Sequence, residues 1–259
     1  MDLQLTGRRA IVTGASRGIG LATARALAAE GADVAIVARH QDALDTAAER
    51  LRTDSGRTIV PVAADTGDDA SVTAMVAQVV DRLGGVDVLV NCAARPNTGQ
   101  LTDDALELEI NVKVRGYLRC IRAVAPHMAT SGWGSIVNVA GVAARRTGSL
   151  TGTIRNVAVA ALTKNLADEL GPQGINVNVV HPALTITEGT PPIVTRVAEA
   201  KGISPEEAVA EIAQDVSLGR IMTADEVAAV ICFLASPRAV AVNGDPVVAG
   251  GGSKGWIAY

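Results

Sequence analysis

The stretch TGASRGIG, from Thr13 to Gly20, decides the fold because it joins an apolar segment to an alanine-rich one. Residues 9–12 are apolar and β-branched, which predicts a buried strand, and residues 21–30 have the composition of a helix. Glycines let the backbone turn sharply and let a pyrophosphate approach it closely. The free N–H groups and the dipole at the start of the helix then favour the anion. The order strand, glycine turn, helix therefore predicts a dinucleotide site rather than an ordinary turn.

The composition of the chain fits a large aliphatic core. Of the 259 residues, 48% are hydrophobic, but only 2% are aromatic. Ala, Val, Leu and Ile must therefore fill the interior, as they do around buried parallel strands. The length is that of one α/β domain, so we expect residues 1–259 to form a single dinucleotide-binding domain.

The charge and the cysteines exclude several classes of partner. A net charge of -4 gives no electrostatic reason to bind nucleic acid or an anionic membrane. Cys92, Cys120 and Cys232 are far apart and lack metal-ligand spacing, so we expect no metal site. The first residues lack the pattern of a signal peptide, and no apolar run has membrane-spanning length. We therefore expect a cytoplasmic protein that acts on a small molecule.

Apolar stretches alternate with helical patterns along the whole chain. The alternation predicts an α/β fold, a doubly wound Rossmann-type parallel sheet of about seven strands with helices on both faces. The predicted strands are residues 9–12, 33–37, 59–63, 86–90, 135–139, 176–180 and 246–249. An irregular loop is predicted over residues 91–100, and helical regions are predicted over about residues 103–127 and 154–170. Ligands of such sheets bind at the carboxyl ends of the strands. Residues 183–219 follow one of these ends and are predicted to form a substrate lid or, alternatively, a structural excursion.

The end of the second predicted strand indicates which dinucleotide binds. An acid about twenty residues after the glycines favours a free 2′-hydroxyl, whereas an arginine accommodates a 2′-phosphate. Arg39 occupies this place, and Arg17 within the glycine turn is a second phosphate partner. Both residues favour NADP over NAD. Asp65, after the third strand, is predicted either to accept a hydrogen bond from the adenine amino group or to cap a helix.

These motifs together resemble the short-chain dehydrogenase/reductase family over residues 5–251. Asn91 and Ala93 match the family's Asn-Asn-Ala-Gly motif, while Cys92 and Ala94 depart from it. With the glycine turn and the phosphate partners included, the resemblance implies a cofactor site made of Gly14, Ser16, Arg17, Gly18, Ile19, Gly20, Arg39, Asp65, Thr66, Asn91, Ala93, Asn156, Pro182 and Thr187.

Some of these roles come from the resemblance alone. Pro182-Ala183 stands where the family has Pro-Gly, and Thr187 matches a threonine that touches the nicotinamide amide. Asn111 falls where the family keeps an asparagine that holds a water and the catalytic lysine. The family also assembles as tetramers or dimers, so a homo-oligomer is expected.

The residues that carry out the chemistry in that family are missing here. The family uses a serine after the fifth strand and Tyr-x-x-x-Lys at the start of the next helix. Gly141 stands at the place of the serine. One alignment puts Gly152 at the tyrosine and Asn156 at the lysine, whereas counting forward from Gly141 gives Ile154 and Ala158. Neither alignment contains a tyrosine or a lysine.

Other titratable side chains are candidates for the missing acid. His181 ends the sixth predicted strand, near the crevice, and a histidine titrates near neutral pH. Tyr117 is predicted to pack in a helix. Tyr259 would have a role only if the C-terminal tail reached a neighbouring subunit, and tails more often pack or fray. Lys164 lies eight residues beyond Asn156, roughly 12 Å along a helix, so it cannot replace the family lysine.

Two hypotheses about function follow from this pattern. The first is an NADP(H)-dependent oxidoreductase that acts on a small carbonyl compound, alcohol or activated alkene with an atypical proton donor. Asn111 and Asn156 are then the candidate catalytic residues, because an amide both donates and accepts hydrogen bonds. The second is a catalytically silent NADP-binding sensor or scaffold.

Overall fold

A parallel sheet of seven strands forms the centre of the computed structural model, which describes residues 1–95 and 102–256. In chain order the strands of the described residues are β1 (Arg9–Thr13), β2 (Asp33–Ala38), β3 (Ile59–Ala63), β4 (Val88–Asn91), β5 (Gly134–Val139), β6 (Ile175–Pro182), β7 (Thr185–Ile186), β8 (Met222–Thr223) and β9 (Pro246–Ala249). Of these, β7 and β8 form a separate two-stranded sheet. The sheet has the order β3-β2-β1-β4-β5-β6-β9, and every pairing in it is parallel.

Helices cover both faces of the sheet. They are α1 (Gly18–Ala29), α2 (Gln41–Ser55), α3 (Asp69–Leu83), α4 (Asp103–Glu109), α5 (Gly116–Ser131), α6 (Leu150–Leu170), α7 (Pro191–Lys201), α8 (Pro205–Gln214) and α9 (Ala224–Leu234). Buried aliphatic side chains join α1, α2 and α9 to one face and α3, α5 and α6 to the other. The predicted doubly wound fold is therefore confirmed.

The strand order reverses between β1 and β4, and the chain is tied together at this point. Oγ1 of Thr13, at the end of β1, accepts hydrogen bonds from the backbone N–H groups of Cys92 at 3.1 Å and Ala93 at 3.2 Å. Both donors lie just after β4. The reversal is where ligands of doubly wound sheets bind, so these bonds fix the geometry of a crevice.

The helical region predicted over residues 103–127 is interrupted in the structure. A π-helical segment, Ile110–Arg115, separates α4 from α5. Gly116 then brings α5 close to the turn after β3, since a Cβ on this residue would lie 2.9 Å from the carbonyl oxygen of Thr66. Helical periodicity in a sequence does not reveal an inserted π turn, so the directions of the side chains in Ile110–Arg115 were not predictable from it.

The helix predicted from residue 154 begins one turn earlier. Ser149 caps α6 by accepting a hydrogen bond from the backbone N–H of Gly152 at 3.1 Å. Serine is among the best capping residues, and the cap outweighs the poor helix propensity of the glycine that follows it. The early start places Gly152 and Asn156 on the same helix as the aliphatic residues that pack on the sheet.

Residues 183–219 are not irregular, because they contain the helices α7 and α8 and the short strand β7. Pro191 and Pro205 lie in the first turns of α7 and α8, where the missing N–H group of proline has no cost. The two helices share a small apolar cluster of their own. β7, at the start of this region, pairs with β8, and this pairing returns the chain to the main fold.

Two sequence-based predictions fall on residues outside the described ranges. These are the role of Tyr259 and the second half of the loop predicted over residues 91–100. Within the described ranges, no helix combines the length and the apolar composition needed to cross a membrane.

Candidate active site

The glycine turn between β1 and α1 is pressed against the loop that follows β4. A Cβ placed on Gly14 would lie 2.9 Å from the backbone nitrogen of Ala93, and one on Gly20 would lie 2.3 Å from the carbonyl oxygen of Gly14. Gly14 also has a φ of +67°, a left-handed conformation that side chains disfavour. Only glycine fits at these two positions, and the turn presents bare backbone to the crevice.

The N-terminus of α1 holds a carboxylate of the protein itself. Oε2 of Glu188 accepts a hydrogen bond from the backbone N–H of Gly18 at 3.0 Å. Thr187 lies over the same turn, with its Cγ2 3.5 Å from the position of a Cβ on Gly18. A helix N-terminus favours anions through its free N–H groups and its dipole. Glu188 therefore lies where the sequence predicts a pyrophosphate.

The crevice at this end of the sheet has a volume of about 690 Å³. Most residues of the predicted cofactor site line it, and these are Gly14, Ser16, Arg17, Gly18, Ile19, Gly20, Arg39, Asp65, Thr66, Ala93 and Thr187. Asn91, Asn156 and Pro182 do not line this cleft. His40 and Glu188 line it as well, although no sequence motif singled them out as ligands.

Arg17 and Arg39 both face the crevice with exposed side chains. Arg39 follows directly after β2, and Arg17 immediately precedes α1. Within residues 1–95 and 102–256, neither arginine forms a salt bridge. Two guanidinium groups at one end of a crevice, without carboxylate partners there, form a site suited to a phosphate.

Asp65 stabilises a turn rather than a helix end. Its Oδ1 accepts a hydrogen bond from the backbone N–H of Gly67 at 2.8 Å. Helix α3 is capped instead by Asp68, which accepts from the backbone N–H of Ser71. Of the two roles predicted for Asp65, the helix cap is therefore wrong, and the exposed carboxylate remains on the lining of the crevice.

Asn91 belongs to a buried amide network. Its Nδ2 donates to Oδ1 of Asn138 at 3.0 Å, and Nδ2 of Asn138 donates to Oγ1 of Thr163 at 3.0 Å. The network joins the ends of β4 and β5 to α6. It fixes the end of β4, which adjoins the residues bonded to Thr13, relative to β5 and α6.

Gly141, after β5, and Asn156, on α6, lie outside the lining of this cleft, and we call this part of the site the opposite wall. A Cβ placed on Gly141 would lie 3.0 Å from Nδ2 of Asn156. Asn156 is buried, and its Oδ1 has no hydrogen-bond partner among the described residues. Gly152 is buried on the same side of α6, whereas Ile154 is 39% exposed. Of the two alignments, the one with Gly152 and Asn156 places both residues inward, and the one with Ile154 does not.

Three successive carbonyl oxygens at the end of β5 accept hydrogen bonds from side chains. The hydroxyl of Tyr117 donates to the carbonyl of Val139 at 2.9 Å. Nδ1 of His181 lies 2.9 Å from the carbonyl oxygen of Gly141, so this nitrogen carries the proton. Burial raises the pKa of Tyr117 well above its usual value and lowers the pKa of His181. Both side chains are thus neutral and fully packed, as expected for Tyr117.

The middle carbonyl of the three is bound by a buried lysine. Nζ of Lys113 donates to the carbonyl oxygen of Ala140 at 2.9 Å, and the residue is 5% exposed. Burial lowers the pKa of Lys113 to about 7. The sequence motifs did not single out this residue. A lysine between Val112 and Val114 in a helical stretch was the signal for it, because an apolar context predicts a buried position.

Asn111 is directed at a different part of the molecule from Lys113. Its Nδ2 donates to the carbonyl oxygen of Gly67 at 3.0 Å, in the turn after β3. The structure therefore does not bring the amide of Asn111 to the carbonyls at the end of β5. Near the same segment, Glu109 and Arg155 form a salt bridge in which the Glu109 side chain is 1% exposed.

Comparisons with known proteins identify the family. The sequence model described as "Enoyl-(Acyl carrier protein) reductase" matches residues 14–254 of the chain. The chain is 38% identical to the short-chain reductase protein NovJ of Streptomyces niveus over 247 residues, which cover 94% of this chain and 92% of that protein. The chain belongs to the short-chain dehydrogenase/reductase family. It is also 35% identical over 258 residues to dehydrogenase/reductase SDR family member 4 of Oryctolagus cuniculus, covering 96% and 94% of the two chains.

Solved structures of this family superimpose on nearly the whole chain. L-sorbose reductase from Gluconobacter frateurii, complexed with NADPH and L-sorbose, matches with a TM-score of 0.93 and 28% identity, covering 99% of this chain and 100% of that one. A variant of actinorhodin polyketide ketoreductase with NADPH matches with a TM-score of 0.89 and 33% identity, covering 96% and 98%.

Proposed function

We propose that this chain is an NADPH-dependent oxidoreductase that reduces a small carbonyl compound or an activated alkene, or oxidises the corresponding alcohol. One observation carries the proposal: bare backbone at Gly14 and Gly20 adjoins two arginines without salt-bridge partners in the described residues, at the reversal of the sheet. NADPH is present in the structures of two relatives, an L-sorbose reductase and a polyketide ketoreductase.

The residues of the crevice fit this cofactor. The bare turn and the N–H of Gly18 would hold the pyrophosphate, which would replace the carboxylate of Glu188. Arg39 and Arg17 would hold the 2′-phosphate, and Asp65 would accept from the adenine amino group. When bound, NADPH supplies a hydride, and the protein supplies its position and a proton.

The opposite wall would orient the rest of the cofactor and the substrate. Oδ1 of Asn156 is buried without a partner among the described residues, which suits a ribose hydroxyl as its donor. Thr187 would bind the nicotinamide amide, as the family resemblance implies. Gly141 and Gly152 bring no side chain to this wall, and the substrate would bind near them. Asn111 would act on this site only through the turn at Gly67, which its amide stabilises.

Assembly and closure are part of the proposal. Leu150, Ile154 and Val157 project from α6 as exposed large apolar side chains, which supports a homodimer or homotetramer formed through this helix. Thr187 and Glu188 lie near the start of the region 183–219 and line the crevice. This placement supports a lid that covers the substrate.

Binding of the cofactor is tested with one matched pair of variants. Calorimetry with NADPH and with NADH is performed on the wild type, on Arg39→Gln and on Arg50→Gln, an exposed arginine of α2. We expect Arg39→Gln to weaken NADPH binding about tenfold, by loss of one charge-assisted contact, and to leave NADH binding unchanged. Arg50→Gln should change neither. Equal binding of NADPH by all three proteins contradicts the assignment of Arg39.

Turnover is tested by oxidation of NADPH against defined substrates. The panel contains L-sorbose and diacetyl as ketones, benzaldehyde as an aldehyde, menadione as a quinone and cyclohexenone as an activated alkene. Substrate-dependent oxidation of NADPH supports the proposal. A protein that binds NADPH but oxidises it with no substrate of the panel is instead the silent binding protein.

A further inference from the structure

Lys113 places a positive charge inside the protein beside the crevice. Its Nζ donates to the carbonyl of Ala140, the residue before Gly141, and only 5% of the residue is exposed. Lysine is rarely buried without a carboxylate partner. Within the described parts of the chain, no carboxylate forms a salt bridge with Lys113. A buried ammonium group whose hydrogen bond goes to a carbonyl rather than to a carboxylate costs stability, which points to a function.

The groups around Lys113 keep its proton labile. Burial is the main cause that lowers its pKa to about 7, and the positive charge of Arg155 on α6 adds to it. Cys92, after β4, and Glu109, at the end of α4, act in the opposite direction. Glu109 is already paired with Arg155. His181 faces the same region from β6 and is neutral, since burial and the charge of Lys113 lower its pKa.

The local fold directs Lys113 to the wall where the family's acid is missing. The residue lies in the π-helical segment Ile110–Arg115, and such segments are frequent at functional sites. Its carbonyl partner, Ala140, immediately precedes Gly141, on which a Cβ would lie 3.0 Å from Nδ2 of Asn156. Cys92 interacts electrostatically with Lys113 and also lines the crevice. The ammonium group is therefore bound at the carboxyl end of β5, one residue before Gly141.

We propose that Lys113 is the proton donor of this site and that it replaces, from a different helix, the tyrosine and lysine that α6 lacks. The inference rests on the proposed function, because a proton donor has a role only if the chain reduces a substrate.

The proton balance of a ketone reduction is simple. The hydride that NADPH would supply, leaving NADP⁺, would add to the carbonyl carbon, while the π bond breaks and its electron pair goes to oxygen. That oxygen takes a proton from the ammonium of Lys113, so one C–H and one O–H bond form and the lysine becomes a neutral amine. Water from the crevice returns the proton to Nζ.

This chemistry predicts the direction of the pH dependence. Reduction needs the charged lysine, so kcat should be constant at low pH and fall as the pH rises through about 7, the pKa of Lys113. Oxidation of the alcohol needs the neutral amine, so kcat for oxidation should rise as the pH rises through the same value. A pKa near the working pH is the condition under which a general acid is most effective.

The titration of Lys113 is measured directly by NMR of protein labelled with [¹³Cε]lysine. The chain has only Lys113, Lys164, Lys201 and Lys254, and Lys113→Arg removes and thereby assigns one signal. We expect this signal to titrate near pH 7, as against about 10 for exposed lysines. It should also shift when NADP⁺ is added. A midpoint near 10 for Lys113 overturns the proposal without any measurement of turnover.

Kinetics separate proton donation from a purely structural role. With the best substrate of the panel, Lys113→Met and Lys113→Arg should each lower kcat about 100-fold or more and leave the dissociation constant of NADPH unchanged. Arginine keeps the charge but does not release a proton near neutral pH. Rescue of kcat by Lys113→Arg would therefore show that charge alone matters. Lys164 is exposed and paired with Asp168, so Lys164→Met is the control and should retain full activity.

Thermal unfolding controls for misfolding of these variants. Removal of a buried charge should leave the melting temperature of Lys113→Met equal to or above that of the wild type. A variant that binds NADPH, melts normally and has lost kcat supports the proposal. A wild type active on the panel together with a fully active Lys113→Met overturns it and leaves the proposed function intact. A wild type that is inert on the whole panel overturns both.

Discussion

Gly14 in the lining of the crevice and Gly141 in the opposite wall are both glycines, but for different physical reasons. At Gly14 the backbone has a φ of +67°, and a Cβ would meet the backbone of Ala93 at 2.9 Å. At Gly141 the backbone is extended, with a φ of 164°, a conformation that any residue adopts. The group that a Cβ would meet there at 3.0 Å is the end of the Asn156 side chain.

The difference shows which parts of the site are free to change. The first glycine is imposed by two backbone segments that cannot move apart without loss of the β1–β4 connection. The second is imposed by one flexible amide, which another side chain can replace. The wall formed by the glycine turn at Gly14, here called the cofactor wall, therefore retains its motif. The opposite wall can exchange its chemical groups while the sheet and α6 remain in place.

The largest effect should come from adding one methyl group to the cofactor wall. Gly14→Ala should weaken NADPH binding about 30- to 100-fold, because the Cβ must displace the backbone at Ala93 and overpacking costs about 1–3 kcal/mol. Calorimetry measures this change. The matched control is Gly56→Ala, at a glycine with a φ of +65° and no atom within 4 Å of its Cβ position.

The control variant separates backbone strain from the steric clash of the added Cβ with Ala93. Gly56→Ala should lower the free energy of unfolding by about 1–2 kcal/mol, which is the cost of placing an alanine in the left-handed conformation. NADPH binding should be unchanged. Gly14→Ala should show that cost in denaturation as well as the loss of binding. If Gly14→Ala binds NADPH normally, the backbone contact does not restrict this wall, and the contrast between the walls fails.

This contrast also explains what the sequence could predict. Strand lengths, helix patterns and the glycine turn predicted the seven-stranded sheet and most of the crevice lining, because each depends on local composition or on the backbone. Lys113 was missed, since the π-helical segment changes its direction in a way that periodicity does not encode. The contact of Glu188 with Gly18 joins residues 170 positions apart, and no local pattern predicts such a pair.

An intermediate effect should come from removing the charge of Glu188, whose carboxylate lies against the cofactor wall. Glu188 accepts from the N–H of Gly18, at the place proposed for the pyrophosphate. A negative charge there opposes the phosphate by about 1 kcal/mol in a well-solvated site. Glu188→Gln should therefore bind NADPH about fivefold more tightly in calorimetry. Glu206→Gln, in the first turn of α8, changes the same charge at another helix N-terminus and should have no effect.

The result for Glu188 also tests how the region 183–219 is linked to the glycine turn. Glu188 belongs to the region proposed as a lid, so its contact with Gly18 would hold this region against the turn before the cofactor binds. Weaker binding by Glu188→Gln would mean that the carboxylate helps to hold the cofactor instead. Glu188 would then be a ligand of the bound state and not a competitor of the pyrophosphate.

The smallest effect should come from a methyl group on the opposite wall, and it should depend on Asn156. Gly141→Ala should lower the free energy of unfolding by about 1 kcal/mol, because its Cβ presses on Nδ2 of the amide. In the Asn156→Ala background the same change should cost almost nothing, which gives a coupling energy of about 0.5–1 kcal/mol in denaturation experiments. A second cycle with Asn165→Ala, at an exposed position of the same helix, should show no coupling. Equal costs of Gly141→Ala in both backgrounds would mean that Gly141, like Gly14, is imposed by the backbone.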